Sequence, residues 1–585
     1  MKVLKKILAV CLSIITLFGV VSAAGCGGDE FGNTTVIWVM NNGGGCGRAW
    51  LDNAIVRFKQ KIGNKSYAEG KEGVHFEIDH NINTQASTMA TSGFDVYFTT
   101  SDSFPYALAQ RSLLYDVTDF IKQDNYEDEN GQKTISILDK IIPSYQDVLK
   151  GADGNFYALP HEEWFPGLSY DAELFESKNL YFASPDEERS NVREYTCPFG
   201  TGRFVKDSNT KKSTGNDGVM GTYDDGLPSS LTELLILCAR IKNQLTLTPF
   251  TVSGANAPYT NYLLESLWAS LSGYDSFMGT YTFDSEMEIV TGYTTEPLFP
   301  GVDGIEHIKK PETKVVKLTE ETGYLATDNV NRYYASVFLE IMYKQGWYSQ
   351  DITNSSSHTG AQSNFIFSGK NGKETVAMLI EGNYWYNESV TCGNFNEYFK
   401  LNPTKTERDI RWMPLPTSFS KSATKDDKRE NVLLDTGVSY TFINKKTQYK
   451  DDGCLDALLE FLTFIYSDEE MSHFTQCTGL GKAAMNYDVL DEDWDKMEEF
   501  KKSMWDLRNN NKVIYGSAKN ETFRSAVADF IPSQSYTTFL YPINGKLYIC
   551  DYYAHKAGYG AKECFESTRK NLNVWKGVYK GDKTL

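Results

Sequence analysis

The stretch Asp153–Phe175, DGNFYALPHEEWFPGLSYDAELF, decides the fold. Gly154 supplies a turn. Asn155–Leu159 alternates small, aromatic and apolar side chains as a strand does, and Pro160 is expected to stop regular pairing. His161, Glu162, Glu163 and Trp164 then form a polar and aromatic loop. Gly167–Tyr170 reads as a second short strand, and Asp171 as the cap of a helix running through Glu176. Turn, strand, loop, strand and capped helix in so short a run point to a chain passing from one lobe to another and lining a cleft as it passes. The same residues also fit a plain strand–loop–strand with a Trp at the surface. The features around them have to separate the two.

At 585 residues the chain is too long for one core, and two or more domains are expected. The first segment reads as a targeting signal. Lys2, Lys5 and Lys6 precede the uncharged apolar run Ile7–Ala24, which closes on Ala23-Ala24-Gly25-Cys26. Small residues ahead of a Cys resemble a bacterial lipobox, in which Cys26 is acylated and residues 1–25 are removed. Ala23 stands where that pattern usually has Leu. A plain cleaved signal or a membrane-spanning anchor are the alternatives. Residues 26–33, opening Gly27-Gly28-Asp29-Glu30, would then form a flexible tether. Without the three lysines the formal charge moves from −19 to −22, which argues against nucleic acid or anionic lipid as a partner.

Eight cysteines remain after Cys11 and Cys26, enough for 105 pairings, and none forms a CxxC pair. Cys238 and Cys454 lie in apolar helical patterns and read as core thiols.

Thr35–Met40, TVIWVM, has the near-continuous apolar character of a strand buried on both faces. The glycine-rich loop Asn41–Gly47, NNGGGCG, follows, and Trp50, Leu51, Ala54, Ile55, Phe58 and Ile62 recur at helical spacing. The loop is neither a GxGxxG fingerprint nor a Walker sequence. Further strands are expected at Val74–Ile78 and Phe94–Phe98, the latter leading into Thr99–Phe104, with a helix at Ala107–Leu114. Strands alternating with helices predict an α/β fold with a doubly wound parallel sheet, whose ligands lie beyond the carboxyl ends of the strands. Asp102 is then a candidate ligand acceptor, or a helix cap.

The polar insertion Glu187–Gly226 holds Asp217, Asp224 and Asp225 around glycines, a composition able to hold Ca²⁺. An EF-hand register with Gly218 at position six puts Ser213 and Gly215 where aspartates are needed, and a turn-rich surface insertion is the other reading. Helices are expected at Leu231–Ile241 and at Asn261–Ser272, which carries Trp268, and Thr291–Glu321 reads as a loop region. The strand Thr375–Ile380 runs into Glu381-Gly382-Asn383-Tyr384-Trp385-Tyr386, three adjacent aromatics at a strand end. Arg408–Pro416, with Trp412, and Val438–Ile443 read as strands, and Cys454–Tyr466 as a buried helix. Gly479–Ala484 is a formal GxGxxA, but it follows a helix, so the dinucleotide reading fails on context. Trp494–Arg508, Glu521–Phe530 and Gly560–Lys580 read as helices.

The order of these features carries a resemblance. The buried first strand, FDVYF with TTSDSF, YALP with its aromatic loop and SYDAELF, AMLIEGNYW, RWMPLP, VSYTFI and FTQCTGLGKAAMNYD together resemble the extracellular solute-binding proteins of family 1. That is the maltose-binding-protein type, which serves ABC importers. The resemblance spans most of residues 35–580 and is greatest to the larger lipoproteins of that family, which share a stretch like Gly221–Pro228.

The resemblance implies a two-lobed, periplasmic-binding-protein-like α/β fold with a hinge between doubly wound lobes. Residues 34–157 and 433–485 would form lobe one, and 158–432 and 486–585 lobe two. It implies a monomer without cofactor or catalysis, lipid-anchored on the extracellular face of the cell membrane. Its partners would be a carbohydrate and the permease subunits of an ABC importer. By position in the motifs, Asp102, Trp164 and Trp385 match sugar-contacting sites. Asn41 and Asn42 match the first-strand loop, and Glu163 matches more loosely. Trp268, Tyr384 and Trp412 are added for their aromaticity and placement.

A separate physical case favours sugar. Aromatic faces take the apolar C–H face of a sugar, and Asp, Glu and Asn take its hydroxyls. The chain has 10 Trp and 36 Tyr to draw on. Peptide, polyamine and phosphate remain open as ligands. A secreted glycosidase would need two facing carboxylates, whereas adjacent Glu162 and Glu163 on an extended segment point opposite ways. No GxSxG, HExxH or metal-spaced His cluster is present. A surface sugar receptor without an importer fits the sequence equally.

Overall fold

The computed structural model describes residues 32–515, apart from 81–85, 101–104, 128–130, 132, 255–256, 351–356, 371 and 438, together with 540–543, 546–549, 560–569 and 575. Among the described residues no helix is long and apolar enough to cross a membrane. The signal, Cys26, Asp102 and the expected helix 521–530 lie outside them.

The first strand is β1 (Thr35–Asn41), and α1 (Ala49–Ile62) follows the glycine loop, turning Trp50, Leu51, Ala54, Ile55 and Phe58 inward as their spacing requires. Next come β2 (Val74–Asp79) and β3 (Val96–Thr100). The crossover stretch supplies β4 (Leu159–Pro160), β5 (Pro166–Asp171) and α2 (Ala172–Lys178). Asp171 caps α2 as expected, accepting the Leu174 N–H at 2.9 Å. Beyond it lie β6 (Thr248–Thr251), α3 (Ala257–Ser272), β7 (Glu286–Pro297), β8 (Lys309–Lys317), α4 (His358–Ile366), β9 (Val376–Gly382) and α5 (Trp385–Thr391). The last part holds β10 (Ile410–Met413), β11 (Val432–Asp435), β12 (Ser439–Ile443), α6 (Cys454–Ile465), α7 (Asp468–Thr478), α8 (Glu499–Asn509) and β13 (Lys512–Tyr515).

Two sheets define two lobes. The first runs β2–β1–β3–β12–β4 and the second β6–β9–β5–β10. β1 lies parallel between β2 and β3, with Thr35 opposite Val74 and Val39 opposite Val96. β12 and β4 add antiparallel at one side, so this sheet is mixed. In the second sheet β6 and β9 are parallel, while β5 runs against both β9 and β10. All seven residues of β9, VAMLIEG, are buried, as an apolar strand covered on both faces must be. The two-lobed α/β fold expected from the sequence is thus present, with early and late chain interleaved in one sheet.

The lobes are joined where β4 passes to β5 and where β11 passes to β12. These crossings lie side by side. The Thr436 N–H donates to the Trp164 carbonyl at 3.0 Å and the His161 N–H to Ser439 O at 3.3 Å. The 480–485 segment lies against them, its Gly481 carbonyl accepting the Glu163 N–H at 3.1 Å. β11 also pairs in parallel with β13, which brings Lys512–Tyr515 back to the junction.

Two expectations are corrected. Pro160 does not stop pairing but lies opposite Tyr440 in β4, at the sheet's edge, where its missing N–H breaks no ladder. The region 291–321 is largely the long antiparallel hairpin β7–β8. Its strands are polar because most of their residues face water, and the pair Lys310–Glu296 crosses it. Among the described residues Cys46, Cys197, Cys238, Cys392, Cys454, Cys477 and Cys564 are free thiols, and Cys238 and Cys454 are buried in the core as expected.

Candidate functional site

The carboxyl ends of β1 and β9 come together at the junction between the lobes, the edge at which open α/β sheets bind ligands. From β1, Asn41 and Asn42 are both buried and shape the glycine loop. Asn41 Nδ2 donates to Gly47 O at 2.9 Å, and Asn42 Oδ1 accepts the Gly44 N–H at 3.1 Å. Gly45 has φ +60°, and a Cβ there would lie 2.9 Å from Glu162 Oε2 and 3.2 Å from the Trp164 ring. Only glycine lets the loop approach the crossing so closely.

From β9 and α5 of the second lobe come Glu381, Asn383, Tyr384, Asn387 and Glu388. Asn387 Nδ2 donates to Gly45 O at 2.9 Å, a direct bond between the lobes. The Tyr384 ring packs on the Trp164 ring with centroids 4.7 Å apart. Gln362 of α4 donates its Nε2 to Glu381 Oε1 at 3.2 Å and to Glu388 Oε2 at 3.0 Å, so the two carboxylates converge on one amide. The Tyr259 ring of α3 faces His358, with centroids 6.5 Å apart. Among the described residues, Asn41 Oδ1, Glu381 Oε2 and Asn383 Nδ2 are buried without a hydrogen-bond partner. Burial, then repulsion from Glu388, holds the Glu381 carboxyl well above the usual range, and burial also raises Glu388 against the pull of Gln362, His358 and the Gly45 amide.

The structure therefore brings Asn41, Asn42, Trp164 and Tyr384 together. Glu163 is close by but turned away. Its Oε1 accepts from Arg508 Nε at 2.7 Å and its Oε2 from Tyr515 OH at 2.8 Å, while Arg508 Nη2 donates to Met485 O at 2.9 Å. It is a strut of the hinge. The three other tryptophans are core residues, which corrects their assignment to a binding surface. Trp268 packs edge-on against Phe277 and is wholly buried. Trp385 sits among Phe365, Tyr386, Phe395 and Phe500 with its Nε1–H on Ser169 Oγ at 2.8 Å. Trp412 lies against Gly167 and Phe500. Their rings have no free face for a sugar.

Asp217, Asp224 and Asp225 do not converge as calcium ligands. Asp224 Oδ2 accepts the Asn216 and Asp217 amides at 2.6 and 3.1 Å, and Asp225 Oδ2 accepts the Gly221 amide at 2.7 Å. These carboxylates fold their own loop. Among the described residues, the group with metal-donor spacing is Cys46, His161 and Glu162, whose ligand atoms lie within 4.8 Å of one another. Lys482 Nζ stands 3.2 Å from His161 Nδ1 and already supplies positive charge to this buried group, so the residues do not call for an ion. Burial pushes Glu162 up to about 7 and Lys482 down to about 8.

Sequence reasoning missed Gln362, Tyr259, Asn387 and Glu388. Asn387 and Glu388 had a local signal, standing three and four residues after Tyr384 and so on the same helix face. The others arrive from helices distant in sequence and carry no motif.

No family model matches this chain, and no curated protein matches it. Among solved structures, a chitin oligosaccharide binding protein aligns over 94% of this chain and 100% of its own at 13% identity and TM-score 0.49. The solute-binding protein RafE in complex with raffinose aligns over 93% of this chain and 100% of its own, at 13% identity and TM-score 0.48. Superpositions this loose say nothing of what the present chain binds.

Proposed function

We propose that this chain is an extracellular solute-binding protein, tethered by lipid at Cys26, that takes a sugar or oligosaccharide between its lobes and passes it unaltered to an ABC importer. One observation carries the binding part of this reading. Unpartnered buried polar atoms of Asn41, Glu381 and Asn383 lie around the paired rings of Trp164 and Tyr384, where two strand ends meet across a hinge. Leaving buried polar groups unpaired costs about 1–3 kcal/mol each, and hydroxyls supplied by a ligand would recover it. The adjacent rings offer the apolar faces that sugar C–H groups need. Opening about the crossings admits the ligand, and closure removes it from water. The anchor and the importer rest on the signal-like residues 1–26 and on the family resemblance.

Calorimetry against a glycan panel, with chromatography of each binder, tests this. Binding without turnover is expected. Cleavage of a bound glycan would instead make the Glu381–Glu388 pair a hydrolytic one. Absence of any glycan ligand would overturn the proposal. Cys26→Ala should release the protein from membranes, and retention would remove the lipid tether.

A further inference from the structure

The proposed sugar site holds two facing carboxyls with no Lys or Arg beside them among the described residues, and this narrows the ligand. Glu381 is 3% exposed, and Glu388 lies one helix turn beyond Tyr384, half-buried beside the glycine loop. Both accept from the same Gln362 amide, so their carboxylates face one space. Among the described residues neither forms an ion pair with Lys or Arg. The one basic group acting on the pair is His358, through Glu388. The Gln362 amide and the backbone amides of Gly382 and Gly45 are neutral donors, and among the described residues Glu381 Oε2 has no hydrogen-bond partner. Some buried acids of this chain are paired with full cations, as with Glu163 and Arg508, and Asp95 and Lys450, whereas Asp224 and Asp435 are each held singly by backbone amides. Here two acids face each other with no Lys or Arg among the described residues, which leaves the place of a cation to something that enters between the lobes.

We propose that the ligand bears a free ammonium group, as an amino sugar or its oligomer does, and that Glu381 and Glu388 receive this group while Trp164, Tyr384 and Tyr259 cover the ring faces. An ammonium supplies three donors, enough for the open Glu381 oxygen and for Glu388 together. Tyr259 and Tyr384 add faces suited to a cation. This inference rests on the sugar reading above and makes it more specific.

The test compares, by calorimetry on the intact mature protein, a glucosamine oligomer, the same oligomer fully N-acetylated, its neutral glucose counterpart and a linear polyamine. The expected result is that the free-amine oligomer binds at least tenfold tighter than either uncharged form. Glu388→Gln should remove most of that preference while the protein's unfolding midpoint stays within a few degrees. Glu381→Gln is the second variant, with the same expectation for preference. Equal or tighter binding of an uncharged oligomer overturns the ammonium assignment and leaves the sugar reading standing. Binding of the polyamine with no binding of any sugar overturns the sugar reading. Binding of none removes both.

Discussion

Asn387 in α5 and Gly45 in the first-strand loop are joined by a 2.9 Å hydrogen bond that spans the two lobes. Few single bonds report on closure so directly, because the donor belongs wholly to one lobe and the acceptor to the other. A hydrogen bond of this kind is worth about 0.5–1.5 kcal/mol. Asn387→Ala should therefore lower affinity for the sugar ligand about three- to tenfold and raise the radius of gyration of the free protein in small-angle scattering. Unchanged affinity and size would show that the bond does not hold the lobes together. Gly45→Ala should act more strongly, because its Cβ would meet the Glu162 carboxylate.

Trp164 and Trp385 should respond differently to removal. Trp385 is enclosed by four rings and bonded to Ser169, so Trp385→Ala should cost about 3–5 kcal/mol of stability in denaturant unfolding. Trp164 is only partly buried and lies on Tyr384 at the junction. Trp164→Ala should weaken sugar binding by about tenfold, roughly 1.4 kcal/mol, with a smaller loss of stability. The reverse pattern would move the site away from the crossing.

The Glu163–Arg508 pair is buried and braces the crossings through Tyr515 and the Met485 carbonyl. Removing one partner strands the other charge. Arg508→Met should destabilise by about 3–5 kcal/mol, and adding Glu163→Leu should recover much of it. A double variant no better than the single one would contradict an ion-pair strut.

Stability should fall as pH rises from about 4.5 to about 7, through Glu162. Its folded pKa, about 7, lies above the ordinary 4.5, so between these values the folded state binds more protons than the unfolded chain. The contribution is fully present below 4.5 and lost by about pH 7, on the order of 3 kcal/mol. Glu162→Gln should flatten that part of the profile measured by denaturant unfolding. An unchanged slope would mean that another group sets it.

Much of this molecule could be read from its residues in order. VAMLIEG and SYTFI are strands because only sheets covered on both faces bury runs so apolar, TVIWVM is a strand that leaves Trp38 exposed on one face, and Asp171 caps a helix because its side chain reaches the first free amides. The crossover at Asp153–Phe175 and the ligand-edge placement of Asn41, Asn42, Trp164 and Tyr384 follow from the same local chemistry. Tertiary structure decided what periodicity leaves open. Consecutive residues Tyr384 and Trp385 are equally aromatic, yet one ring reaches the junction and the other fills a core, because a helix start turns neighbours in different directions. Glu163 went to Arg508 and Glu381 to Gln362 for a similar reason. A carboxylate's partner is set by what the fold brings within about 3 Å, and those partners lie 345 and 19 residues away along the chain.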